Sequence, residues 1–255
     1  MVMADDLIKM NTVVEIRNLS KAFGDHVVLD NVSLTVTEGE NLVVFGQSGT
    51  GKSVLLKCMV GLLVPDAGEI YIDGTNVLNL EPKELNDVRK NLGFLFQGAA
   101  LYDSMSVREN LEFPLIRHFN FTSGEREAKV KSVLEKVSLE EAIDKMPSEL
   151  SGGMKKRIGL ARSIITEPRL MLYDEPTTGL DPITSKEISS LILELQKSLK
   201  MTSIIVTHDL LCAEIIADRA IVLNEGVVKY EGSIPELTSS KDPFLKNFFS
   251  HEILE

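Results

Sequence analysis

Residues 46–53 read Gly46-Gln47-Ser48-Gly49-Thr50-Gly51-Lys52-Ser53, with glycines spaced ahead of a lysine and a hydroxyl. Glycines let backbone N–H groups turn inward around an anion, and a helix opening at the motif adds partial positive charge there. This is the P-loop spacing: Lys52 reaches the terminal phosphates and the Ser53 hydroxyl takes a position on Mg²⁺. Further on, Leu170-Met171-Leu172-Tyr173 runs into Asp174-Glu175. Asp174 is placed to hold Mg²⁺ through water, and Glu175 to orient and partly deprotonate an attacking water. An acidic turn capping a strand reads the same way on its own, and the P-loop upstream is what gives it a chemical meaning. Between the two, Leu150-Ser151-Gly152-Gly153-Met154 leads into a basic helical stretch, Lys155-Lys156-Arg157-Ile158-Gly159-Leu160-Ala161-Arg162. A hydroxyl and bare amides at a helix start offer a second phosphate-binding element, although in isolation they also make an ordinary N-cap.

The elements that must position these groups follow from periodicity. Val32, Leu34 and Val36 alternate with Ser33, Thr35 and Thr37, which predicts an antiparallel strand with one wet face. Val13–Ile16, Val27–Leu29 and Ile70–Ile72 read as its companions, punctuated by Gly24, Gly39 and Gly74. Short unalternated apolar runs then recur at Leu42–Phe45, Leu92–Phe96, Leu170–Tyr173, Ile204–Val206 and Ala220–Leu223. Such runs predict strands buried on both faces of a parallel sheet. Val130, Val133, Leu134 and Val137 share one helical face, and Ile188, Leu191, Ile192, Leu195 and Leu199 another. The expected architecture is therefore α/β, with a helical lobe inserted over about residues 97–165.

The chain has 255 residues and a formal net charge of −11, so nucleic acid is excluded as its main partner on electrostatic grounds. Hydrophobic residues at 44% and charged residues at 25% are those of a folded globular chain rather than a disordered one. Two cysteines, Cys58 and Cys212, make no disulfide framework and point to a reducing compartment. No stretch reaches the about 20 apolar residues of a spanning helix. The opening MVMADDLIKM carries acids where a secretory leader is basic, so a cytosolic location is expected.

The ordered set of motifs resembles the nucleotide-binding subunit of ABC transporters over about residues 12–235. Gln97 matches that family's Q-loop glutamine and Gly179-Leu180-Asp181 its D-loop. His208, in Val206-Thr207-His208-Asp209, matches its switch histidine. Phe23, in Lys21-Ala22-Phe23-Gly24, stands where the family stacks an aromatic ring on adenine, although a lone aromatic beside a glycine turn is often just core. The resemblance implies ATP contacts from Phe23, Gly46, Gln47, Ser48, Gly49, Thr50, Gly51, Lys52 and Ser53. It implies further contacts from Ser151, Gly152, Gly153 and Asp181, and Mg²⁺ at Ser53, Gln97 and Asp174. It gives catalytic roles to Glu175, His208, Gln97 and Lys52. The implied fold is a P-loop NTPase (RecA-like) parallel-sheet core, formed by about residues 12–96 and 166–235. An N-terminal antiparallel β subdomain, the helical signature subdomain at about 97–165 and a tail at 236–255 accompany it, all within one ATP-binding domain.

Met154 departs from the glutamine usual after Ser-Gly-Gly, and Gln47 from a common P-loop proline; neither removes a phosphate ligand. These departures resemble the Mla-type (maintenance of lipid asymmetry) lipid-transport ATPases, as do Phe96-Gln97-Gly98-Ala99-Ala100-Leu101-Tyr102-Asp103 and Gly179-Leu180-Asp181-Pro182-Ile183-Thr184. That narrower resemblance implies an ATPase paired with a second copy of itself or a paralogue, and a separate transmembrane permease. A lipid-binding substrate protein and a small regulatory subunit are further partners it suggests, and the place it implies is the cytoplasmic face of the inner (plasma) membrane. The runner-up is the ATPase of an importer for amino acids or another small solute. A chromosome or repair ATPase is disfavoured because no sustained heptads lie between Lys52 and Ser151, and a translation-associated one because there is a single P-loop. A small-molecule kinase has no use for the second phosphate cradle at Ser151. Two apolar features stay open. Ala99, Ala100, Leu101, Tyr102 and Met105 either fill the lobe's own core or receive a permease helix. Phe244, Leu245, Phe248 and Phe249 form one helical face that packs either on their own domain or on a twin or regulator.

Overall fold

Strand-forming sequence is concentrated at both ends of the chain, and the computed structural model, which describes residues 12–47 and 49–252 (side chains through 250), sorts it into two sheets. Ser48 and the opening MVMADDLIKM lie outside the described residues. The first sheet is four-stranded and antiparallel, in the order β2-β1-β4-β5, from β1 (Thr12–Phe23), β2 (His26–Thr37), β4 (Ala67–Ile72) and β5 (Thr75–Asn76). The second is six-stranded, in the order β10-β9-β3-β8-β7-β6, from β3 (Asn41–Phe45), β6 (Leu92–Leu95), β7 (Leu170–Asp174), β8 (Thr202–Thr207), β9 (Arg219–Asn224) and β10 (Val227–Gly232). Helices α1 (Lys52–Met59), α2 (Pro82–Arg89), α3 (Val107–His118), α4 (Ser123–Lys136) and α5 (Gly152–Ile164) follow in chain order. They are succeeded by α6 (Pro182–Leu199), α7 (Leu210–Ile216), α8 (Ile234–Thr238) and α9 (Pro243–Glu252).

Every residue of β3, β7 and β8 is buried, which is why these strands read as unbroken apolar runs. Their side chains alternate between two cores. Leu42, Val44, Leu172 and Ile204 face a core shared with α1 and the antiparallel sheet. Val43, Phe45, Tyr173 and Ile205 face the other, shared with the helices between β6 and β7 and with α6, α7 and α9. In β2, Val32, Leu34 and Val36 are buried while Ser33 and Thr35 are exposed, as the alternation predicts.

The sequence reading needs two corrections at this level. β1 runs on to Phe23 instead of ending near Ile16, because Asn18 in the left-handed region (φ 50°) and several register shifts let pairing with β2 resume. β10 was not foreseen and makes the second sheet mixed, pairing antiparallel to β9. It alternates exposed and half-buried positions, so it has no apolar signature. Glu225 (φ 49°) and Gly226 (φ 80°) turn the chain between them with two successive positive φ values, which suits a tight hairpin. Both cysteines are free and buried, and burial pushes the Cys58 thiol up to about 11 and Cys212 up to about 12, so neither is a reactive thiolate.

Two open questions about apolar residues are decided by packing. Leu245, Phe248 and Phe249 on α9 are buried in their own domain, and Phe248 and Phe249 meet the Phe45 ring edge-on at 6.2 and 5.4 Å between centroids. After Gln97 the stretch divides by residue. Ala99 is buried and Leu101 packs against the core, while Tyr102 faces outward against Phe113 of α3 at 5.0 Å between ring centroids.

Candidate active site

Four neighbouring parallel strands, β3, β8, β7 and β6, end almost level. Phe45 pairs with Thr207, Asp174 with Val206 and Leu95 with Tyr173. The chain leaves those ends as Gly46, His208, Glu175 and, two residues beyond β6, Gln97. Strands about 4.8 Å apart therefore deliver four sequence-distant segments to one crevice beyond the sheet's carboxyl edge.

The loop from β3 to α1 is built tightly. A Cβ on Gly46 would lie 2.4 Å from Thr50 Oγ1 and 2.7 Å from the Leu223 carbonyl oxygen. Gly51 has φ +98°, and a Cβ there would lie 2.7 Å from the Val28 carbonyl oxygen on β2. Gly49 also has positive φ, at +85°. Thr50 closes the turn through its N–H and its hydroxyl, both donating to the Gln47 carbonyl. Helix α1 has no side-chain N-cap hydrogen bond and no acid of its own in its first turn, so its leading N–H groups are not committed to a capping carboxylate. That is the environment in which a helix N-terminus takes an external anion.

Lys52 folds back over this loop and is buried. Its Nζ donates to the carbonyls of Gly46 (2.5 Å) and Gln47 (3.2 Å) and lies 3.3 Å from Glu175 Oε1. Ser53 Oγ donates to Asp174 Oδ1 at 2.7 Å. His208 Nδ1 sits 2.9 Å from Glu175 Oε2, which also accepts the His208 backbone N–H at 3.3 Å. Glu175 is buried at left-handed φ 49°. Burial by itself raises its carboxyl pKa, but the His208 hydrogen bond and the Lys52 charge outweigh that and hold it below the usual carboxylate value. Thr177 Oγ1 donates to Asp209 Oδ2 (2.8 Å), tying the turn after Glu175 to the residue after His208.

Lys52, Ser53, Asp174, Glu175 and His208 thus form one connected cluster. The Gln97 side chain is exposed, and its backbone joins the cluster through Lys156, whose Nζ donates to the carbonyls of Gln97 (2.5 Å) and Glu175 (3.2 Å). Burial pushes the Lys156 ammonium down to about 8, against the opposing pull of Glu175 and Asp174. Lys156 was missed as a site residue. Its signal was its helical phase, since it shares the buried face of α5 with Leu160, Ser163 and Ile164.

The other expected residues lie apart from this cluster. Ser151 is exposed and caps α5, accepting the Met154 N–H, while Gly152 and Gly153 open that helix toward solvent. A Cβ on Gly153 would lie 2.8 Å from Thr184 Cγ2 of α6. The Asp181 carboxylate is committed to capping α6, accepting from the Ile183 and Thr184 backbones (3.1 Å each) and from Thr184 Oγ1 (2.6 Å). Phe23 projects from the β1–β2 hairpin with an exposed ring, 5.4 Å from Lys21 Nζ. Among the described residues no group of three or more His, Cys, Asp or Glu side chains could hold a metal ion, and no helix is long and apolar enough to cross a membrane.

A family model described as ABC transporter matches residues 29–178. The chain is 41% identical to a Haemophilus influenzae protein named "Intermembrane phospholipid transport system ATP-binding protein MlaF" over 94% of this chain and 91% of that one. It is 37% identical to the Mycobacterium leprae protein "Probable ribonucleotide transport ATP-binding protein mkl", over 96% of this chain and 71% of that one. Among solved structures it is similar to the dimeric ATP-binding cassette MJ0796 bound to ADP and Pi. That similarity has a TM-score of 0.79 and 33% identity, covering 87% of this chain and 98% of that one.

Proposed function

Because the chain belongs to the ABC transporter family, as an ATP-binding subunit that hydrolyses ATP, we propose that it drives phospholipid or another lipid through a separate permease, from the cytoplasmic face of the membrane. The observation that carries the lipid reading is the 41% identity to the MlaF protein across nearly the whole of both chains. The second reading, import of a small solute, draws on the nearly equal identity to the mkl protein. Affinity purification of the full chain followed by mass spectrometry separates the two. A permease recovered with a lipid-binding protein supports lipid transport, and a permease recovered with a small-solute-binding protein overturns it.

The chemistry follows from the cluster. The bare N-terminus of α1 and the Gly46–Gly51 backbone receive phosphate oxygens, and Lys52 turns from its loop carbonyls and Glu175 toward them. That movement takes a cation away from Glu175, so its carboxylate becomes more basic as the substrate arrives and can accept a proton from the attacking water. His208 holds Glu175 in place through Nδ1. The Ser53 hydroxyl, the Asp174 carboxylate and the Gln97 amide are hard oxygen donors, too few to form a cage alone, which suits Mg²⁺ bound jointly with phosphates and water. When bound, Mg²⁺ neutralises phosphate charge. Phe23, exposed on the hairpin whose second strand passes Gly51, is available to stack on adenine.

The Ser151 end of α5 opens to solvent and, among the described residues, shares no hydrogen bond with the P-loop of its own chain, so we assign it to the ATP of a second copy. A two-fold pair then has two composite sites. Mixing Lys52→Ala and Ser151→Arg chains is expected to restore part of the ATPase activity that each lacks alone, because one composite site in a mixed dimer is intact. A nucleotide-bound Glu175→Gln structure with Ser151 on the phosphate held by its own chain's Lys52 would sink the assignment.

The permease reading places a membrane-subunit helix on the face formed by Tyr102, Phe113 and Ile116, which are 44%, 37% and 60% exposed. Tyr102 and Phe113 rim a groove of about 560 Å³ that also takes in Phe94 and Phe96, next to Gln97. Tyr102→Glu is expected to leave melting and ATP binding unchanged while abolishing assembly with the permease, measured by co-purification. Leu101→Glu, which puts a charge into the core, is expected to melt the subunit instead. Normal assembly of the Tyr102→Glu chain would remove the docking face.

A further inference from the structure

We propose that Lys156 is a positioning residue for hydrolysis, holding the backbones of Gln97 and Glu175 in a fixed relation to the helix that begins at Ser151. The proposal rests on the roles given above to Gln97 and Glu175. Lys156 is 5% exposed, and its Nζ reaches the Gln97 and Glu175 carbonyls at 2.5 and 3.2 Å. An ammonium brings three donors on a long stem, so it can bridge two carbonyls that come from different strand ends.

Glu175 needs such a hold. Its left-handed backbone (φ 49°) brings the Cβ close to the carbonyl oxygen and is strained for any residue but glycine. That backbone aims the carboxylate at Lys52 and His208, so both main-chain groups must be fixed. The N–H donates to the Val206 carbonyl at 2.9 Å, and the carbonyl accepts from Lys156, with a longer contact from the Thr178 N–H at 3.4 Å.

The Gln97 side is gripped by the same helix. Ala99 and Ala100 are both left-handed (φ 59° and 50°), and Arg162 donates to their carbonyls at 3.1 and 2.8 Å. A Cβ on Gly159 would lie 2.9 Å from the Ala99 Cβ, so the glycine admits this close approach. Lys156, Gly159 and Arg162 follow one another at three-residue spacing along α5. Of these, Lys156 also reaches Glu175. Ser151 lies about 7.5 Å up the same helix axis. A displacement of the Ser151 end is thereby carried to the carbonyl of the proposed base.

The test uses the full-length chain as Lys156→Met, Lys156→Gln and Lys156→Arg, with Glu175→Gln measured in parallel. Met matches the stem and removes every donor, leaving the phosphate ligands untouched. Its kcat is expected to fall about 10- to 100-fold with KM for ATP nearly unchanged. Lys156→Arg, which can still donate to both carbonyls, is expected to recover most of that loss. A structural role alone would lower the melting temperature without this split between kcat and KM and without rescue by arginine. If Lys156→Met does not fold, Lys156→Gln is judged by the same split. An unchanged kcat in a folded Met or Gln variant, beside an inactive Glu175→Gln, overturns the proposal. Normal turnover in Glu175→Gln removes the reading on which it rests, and the proposal with it.

Discussion

Glu175→Gln is expected to bind ATP at least as tightly as the unmutated chain and to turn it over about 10²–10⁴-fold more slowly. The amide keeps the shape of the carboxylate, so Lys52, Ser53 and Asp174 keep their places, but it cannot accept a proton from water. Binding should not weaken, because Glu175 Oε1 lies 3.3 Å from Lys52 Nζ and competes with a phosphate for it. Both partners of that ion pair are buried, so their attraction is poorly screened by solvent and a phosphate must displace the carboxylate. A neutral amide releases Lys52 more readily. Lys52→Ala gives the opposite pattern, because it removes a phosphate ligand and leaves Glu175 without its cation. Phosphate release measured alongside equilibrium binding of a fluorescent ATP analogue separates the two variants. Hydrolysis by Glu175→Gln near the normal rate would show that another group takes the proton.

Loss of the α9 contacts is the second large effect. Phe249 is buried and meets Phe45, the last residue of β3 before the P-loop, edge-on at 5.4 Å. Phe248 does the same at 6.2 Å, and Phe244 stacks on Tyr230 at 5.6 Å. Emptying such a site removes both transfer free energy and packing, about 3–5 kcal/mol for one Phe→Ala. For a domain of this size that lowers the melting temperature by about 6–20 °C. Deleting the chain from Asp242 onward should do more, since Leu245 is lost as well. Because the cavity opens beside Phe45, the residue that precedes Gly46, ATP affinity should weaken before the fold fails. Thermal melting and mass in solution, recorded on Phe249→Ala and on the truncation, test this. A preserved melting temperature with a lost dimer would instead make α9 an intersubunit clasp.

The residues that meet at the crevice were legible in the sequence because each motif is local. A glycine-spaced loop before Lys52-Ser53, two acids after an apolar run and a histidine after another each need only a few consecutive residues to be read. The buried strands were legible for a similar reason. A strand covered on both faces has no polar alternation, and β3, β7 and β8 are buried at every position. β10 was not legible, because its residues alternate only between exposed and half-buried and its place depends on pairing with β9. Likewise the stretch after Gln97 could not be divided from sequence. Ala99 and Tyr102 are both apolar-faced residues, and only the close approach to Gly159 on one side and contact with Phe113 on the other separate core from surface. The same holds for α9, whose apolar face was plain while its partner, Phe45, lies nearly the whole chain away. Most of all, a lysine in a basic run reads as a solvated charge. Lys156 becomes a bridge between Gln97 and Glu175 only because the sheet brings two strand ends within reach of one helix face, and that proximity is a property of register and packing rather than of any local run of residues.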